Sequence, residues 1–165
     1  MTGLVTGGLL SVGAVCGRLL KERGETVAVA EGSCGGLVSA ALLAVPGASA
    51  YYVGGSVIYT RAALDGMLTG QVERPARLRG ATEPWAAHLA EAIRTHLDCT
   101  WGVGEGGASG PSGNSYGDPA GHAWVAVSGP TESTKHVLTG HDDRLANMVA
   151  FATAALELLA AELAT

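Results

Sequence analysis

Apolar residues of this chain fall into two kinds of period. Leu9, Val12, Cys16, Leu19 and Leu20 recur at helical spacing, and the stretch ends in Lys21, Glu22, Arg23 and Gly24, a charged last turn with a C-cap glycine. Val27–Ala30 is a continuous apolar run, short enough for a buried strand. A helix is expected from about Ser33 to Ala44, stopped by Val45-Pro46-Gly47. Tyr51–Tyr59 is rich in aromatic and β-branched residues and predicts a strand, with a bulge at Gly54-Gly55. Arg61–Leu68 predicts one short helix, and 69–80, poor in apolar residues, a loop.

In the second half, Thr82 is placed as an N-cap with Glu83 and Pro84 in the first turn, and Trp85, Leu89, Ala92 and Ile93 make one face. Trp101–Val103 predicts a strand. The glycine-rich stretch Gly104–Gly121 reads as a long loop, a length that compact domains usually reserve for function or disorder. Ala123–Ser128 and Lys135–Leu138 predict a hairpin. Asp142 or Asp143 caps a last helix in which Leu145, Met148, Val149, Ala152, Leu156, Leu159 and Leu163 keep helical spacing. No repeat or linker divides the chain. The order predicts a single α/β domain over residues 1–165, a three-layer α/β/α sandwich around a mixed sheet.

Composition narrows the partners. With 165 residues, 47% of them hydrophobic, the chain can bury a real core. A net charge of −5, with no run of Lys or Arg, argues against nucleic acid. Three cysteines without a CxxC spacing fit a reducing compartment, with Cys16 and Cys99 as small core residues. Residues 1–20 lack an early basic region and are broken by Gly7, Gly8 and Gly13, so neither a signal peptide nor a membrane span is expected, and the expected location is cytoplasmic.

The chemistry concentrates in two glycine-bearing segments. Ala30-Glu31-Gly32-Ser33-Cys34-Gly35-Gly36 lies where a strand hands over to a helix, a place where unpaired N–H groups favour an anion or a nucleophile. Ser33 is a candidate nucleophile, or simply an N-cap. Cys34 is a candidate thiolate, or a buried core residue. Glu31 is a candidate general base, or a carboxylate tied to nearby backbone. The second segment offers Glu105, Gly106, Gly107, Ser109 and Gly110, which with Gly32, Gly35 and Gly36 can line a backbone-walled ligand site. Glu105 alternatively anchors its loop; within the long loop Asp118 reads as a turn-former and His122 as a surface residue, or else a catalytic base. Tyr59 is a further candidate, against a plain strand aromatic. The histidines at 88, 96, 122, 136 and 141 show no metal-ligand spacing, so no metal is assigned, and no cofactor is implied.

Ala30–Gly36 resembles the nucleophile loop of the CinA carboxy-terminal domain family, the nicotinamide-nucleotide amidases. The resemblance extends to Val45-Pro46-Gly47-Ala48-Ser49-Ala50-Tyr51-Tyr52, to Gly54-Gly55-Ser56-Val57-Ile58-Tyr59-Thr60, to Glu105–Pro111, and to Asp143-Arg144 before the last helix. It implies cleavage of the amide of nicotinamide mononucleotide by a serine in the glycine loop, with a lysine as its base and a tyrosine assisting. The tyrosine corresponds to Tyr59. The serine corresponds to Gly32 and the lysine to Leu64, which supply neither nucleophile nor base. The expectation is therefore a pocket that serves another small molecule, as a binder or a non-hydrolytic enzyme. The alternative is an amidohydrolase using Ser33 or Cys34. The resemblance also makes a homodimer plausible.

Overall fold

The computed structural model describes residues 2–68 and 73–165. Of the loop expected over 69–80, residues 69–72 lie outside the described residues. Five strands form one sheet in the order β2-β1-β3-β4-β5. β1 (Val27–Glu31) runs parallel to both β2 (Tyr52–Val57) and β3 (Trp101–Ala108). β4 (His122–Ser128) and β5 (Glu132–Leu138) complete the sheet as antiparallel neighbours. Helices α1 (Thr2–Arg23), α2 (Leu37–Leu43) and α5 (Arg144–Leu163) pack together on one face. Helix α4 (Glu83–His96) covers the other, and α3 (Arg61–Met67) contributes Leu64 to its core. The mixed sheet between two helical layers is the expected α/β architecture.

Each helix end has a local cause. Gly24, at φ 64°, closes α1: its N–H donates to the Lys21 carbonyl and the Glu25 N–H reaches the Leu20 carbonyl, the two bonds of a Schellman motif. Thr82 caps α4 through the Trp85 N–H, and Asp143, rather than Asp142, caps α5 through the Ala146 N–H at 3.0 Å. Among the described residues α5 alone has the length and apolar character to cross a membrane. Here it is a core helix, with Phe151, Ala152, Ala155, Leu156 and Leu159 wholly buried. Leu145, in its first turn, faces outward instead of joining that face.

Three expectations need correction. Helix α2 begins at Leu37, not Ser33, because Gly35 and Gly36 take φ of 65° and 99°, a conformation no right-handed helix contains. The irregularity in β2 falls at Val53, just before the two glycines, where the pairing steps from Tyr52 to Gly54. The third concerns Gly104–Ala108, expected as loop, which continues β3. Its glycines alternate with larger residues. A Cβ at Gly102 or Gly104 would lie 2.0 Å from the carbonyl oxygen of Ala90 or Ala86 in α4. The stripe lets α4 lie directly on the sheet, and it leaves Trp101, Val103 and Glu105 on the opposite face.

Candidate functional site

Glu31 and Glu105 are register partners at the carboxyl ends of neighbouring parallel strands, and both are fully buried. Open α/β sheets bind ligands outside such strand ends. The two carboxylates divide the turn between them. Glu31 accepts from the Val38 N–H (3.1 Å), the Ser39 N–H (3.0 Å) and the Ser39 hydroxyl (2.8 Å). Its charge sits at the positive end of α2 and satisfies amides that the helix leaves free. With both oxygens engaged inside the protein, Glu31 anchors α2 and forms no wall of the cleft described below.

Glu105 holds the preceding part of the turn. One carboxylate oxygen accepts from the Gly32 N–H (3.0 Å) and the Cys34 N–H (2.9 Å), and the other accepts from the Ser33 hydroxyl. Burial raises the Glu105 carboxyl above its ordinary value, opposed by the Ser33 hydroxyl and the Cys34 backbone N–H. A buried carboxylate with a raised proton affinity therefore touches the hydroxyl of Ser33. Ser33 is not an N-cap, since Gly36 occupies that position.

Above Ser33 lie two adjoining cavities of ≈ 230 Å³ and ≈ 220 Å³, which share Ser33, Tyr59, Gly107 and Asn114. The first is walled by Gly32, Trp85, Gly106 and Tyr116, the second by Ser109, Gly110 and Arg144. Arg144 is the only cationic side chain among these walls. Its guanidinium donates to the Gly110 carbonyl (2.6 Å) and to the Tyr59 hydroxyl (3.1 Å). Tyr59 is 63% exposed, so the pair stands at the mouth in contact with solvent. Ser109 is buried, and its hydroxyl donates to the Ser33 carbonyl at 3.4 Å. Asn147 fixes that segment from α5 by donating to the Ser109 carbonyl at 2.8 Å.

The segment carrying Asn114 and Tyr116 is pinned by charge and stacking. Asp118 accepts from Asn114 at 2.8 Å and pairs with Arg79 at 3.3 Å, while the Arg79 guanidinium lies 4.9 Å from the Tyr116 ring centre. The hydrogen bond from Asn114 is the main cause holding the Asp118 carboxyl below its usual range. His122 is buried as the first residue of β4 rather than exposed in the loop, its Nε2 2.8 Å from the Ala81 carbonyl and its Nδ1 2.9 Å from Nε2 of His136. The Ala81 carbonyl can only accept, so Nε2 of His122 carries the proton.

Other expected site residues take different parts. Cys34 is fully buried, and burial, reinforced by the negative charges of Glu105 and Glu31, pushes its thiol well above the usual range. It lines neither cavity, so the structure does not place it where a nucleophile would meet a ligand. Gly35 and Gly36 shape the turn without lining the cavities. Leu64 is a core residue, buried in a cluster with Ala30, Ile58 and Leu89. Among the described residues no group of three His, Cys, Asp or Glu side chains is arranged to hold a metal. Arg144, Asn114, Trp85 and Tyr116 went unassigned from the sequence. Only Arg144 carried a signal there, in the Asp143-Arg144 pair read as a helix start.

Residues 9–163 match the model of the CinA C-terminal domain. A CinA-like protein of Anaeromyxobacter sp. (strain K) is 40% identical over 134 residues, covering 80% of this chain and 33% of that protein. One from Salinibacter ruber is 37% identical over 151 residues, 91% of this chain and 36% of the relative. The chain thus spans about a third of the length of these curated relatives. Among solved structures, a competence-damaged protein (CinA) superfamily protein from Klebsiella pneumoniae superposes with a TM-score of 0.86 at 25% identity, covering 94% of this chain and 98% of that one. A competence/damage inducible protein from Agrobacterium tumefaciens gives the same TM-score and identity, over 96% and 97%. The family model spans nearly the whole chain and the relatives exceed a third in identity: the chain belongs to the CinA C-terminal domain family.

Proposed function

We propose that this domain binds a small anionic, nucleotide-like molecule in the cleft over Ser33, and that it does so without the lysine-activated serine chemistry of the nicotinamide-nucleotide amidases. The observation that carries the proposal is Arg144. It is a cation lining an otherwise uncharged cavity, oriented by the Gly110 carbonyl and Tyr59, with glycine backbone beside it. A guanidinium so fixed matches a phosphate or carboxylate. Aromatic walls at Trp85, Tyr59 and Tyr116 suit a planar ring.

The absence of amide hydrolysis rests on two positions. Gly32 has no side chain, and Leu64 is a buried hydrocarbon that cannot take a proton. Titration of nicotinamide mononucleotide into the protein, with ammonia release followed in parallel, tests both halves. Saturable binding that Arg144→Ala weakens, with no ammonia released, is expected. Ammonia release at a catalytic rate overturns the second half, and absence of binding overturns the first.

A further inference from the structure

The Ser33 hydroxyl and the Glu105 carboxylate meet at the floor of the cleft, and nothing in the anion-binding role of Arg144 uses that contact. Among the described residues Ser33 is the one aliphatic hydroxyl that lines both cavities, although it is only 6% exposed. Its partner Glu105 is wholly buried and held rigidly by the Gly32 and Cys34 amides on its other oxygen. The oxygen that touches Ser33 is not the one that the Gly32 and Cys34 amides engage. It is therefore placed to take the hydroxyl proton, while the two amides keep the carboxyl from turning away.

We infer that Ser33 and Glu105 form a nucleophile–base pair for acyl transfer from a small anionic ester. This inference rests on the cleft being a ligand site. Ser33 Oγ forms a bond to the acyl carbon, its proton passes to Glu105, and the carbon–oxygen bond to the leaving alcohol breaks as that proton is delivered to it. Water then attacks the acyl-serine, gives one proton back to Ser33 Oγ through Glu105, and releases the carboxylic acid. One ester and one water yield one acid and one alcohol, with both residues restored. An ester is assigned rather than an amide because a carboxylate is a weaker base than the neutral amine of a lysine, even when burial strengthens it. A weaker base suits a more electrophilic carbonyl with a better leaving group.

A fluorophosphonate probe tests the pair, since a nucleophilic serine displaces its fluoride and the adduct is located by peptide mass spectrometry. The expected result is an adduct on Ser33, abolished by Ser33→Ala and slowed at least ~100-fold by Glu105→Gln. Glu105→Asp should restore part of the rate. In the native protein the labelling rate should climb with pH and level off, following loss of the Glu105 proton. No adduct, or a rate that Glu105→Gln leaves unchanged, overturns the inference. Should Glu105→Gln fail to fold, a flat rate in the native protein from about pH 4 to about pH 9 overturns it equally. Nicotinamide mononucleotide binding measured on the same preparation separates the two proposals. Binding without labelling removes the pair and keeps the anion site, whereas labelling without binding does the reverse.

Discussion

Ser33 donates its hydroxyl to the carboxylate of Glu105 across 72 positions of sequence, and the contact lies under the floor of the cleft. Two parallel strands make it possible. The register that sets Glu31 beside Glu105 also brings the turn after β1 over the end of β3, where one carboxylate can collect two amides and a hydroxyl.

Burial of Glu105, which outweighs this contact, makes stability depend on pH. The Glu105 carboxyl is raised in the folded state, so its protonated form is the one folding favours. Its contribution is fully present below the ordinary glutamate value and is lost as pH rises through the folded value. Glu105→Gln imitates the protonated form. The melting temperature of the native protein should therefore fall relative to Glu105→Gln as pH rises from about 4. A constant difference across that range would contradict the assignment.

The glycine stripe of β3 tolerates no side chain. Gly104→Ala puts a methyl 2.0 Å from the Ala86 carbonyl, where backbone must move to admit it. A loss of about 3 kcal/mol or more is expected in chemical denaturation. Gly7, with nothing within 4 Å of an added Cβ, is the control, and Gly7→Ala should cause no loss.

Helix capping should register independently. Asp143→Ala removes the acceptor of the Ala146 N–H at the start of α5 and should cost ~1 kcal/mol. Asp143→Asn should recover most of that loss. Because Arg144 follows directly, the alanine variant should also weaken anion binding in the cleft.

Cys34 should behave as an inert thiol. It is buried and its thiol is raised well above the usual range, so a maleimide should leave it unmodified in the native protein and label it after unfolding. Rapid native labelling at Cys34, located by peptide mass, would contradict this.

Much of the architecture was legible because the helices announce themselves by period and by caps: Gly24, Thr82 and an aspartate before α5 all act where sequence places them. Only the start of β3 was, at Trp101–Val103, since the glycines at 104, 106 and 107 imitate a loop. Its role as contact surface for α4 shows only once the helix is in place. The site divides the same way. Ser33, Tyr59 and the second glycine segment do gather at one cleft. Glu31 and Glu105 looked alike in sequence, each an acid beside glycine. Only the tertiary placement shows that Glu31 closes on α2 while Glu105 closes on Ser33. Arg144 reaches the cleft from a helix start far along the chain, a distance no local pattern spans.

Calorimetric titration of nicotinamide mononucleotide into the native protein and into Arg144→Ala is the most direct test of the anion site. A charge-assisted hydrogen bond of about 1.5–3 kcal/mol predicts saturable binding that weakens ~10- to 100-fold in the variant, measured at a temperature where both proteins are folded. Equal affinity in the two proteins, or no binding in either, would contradict it.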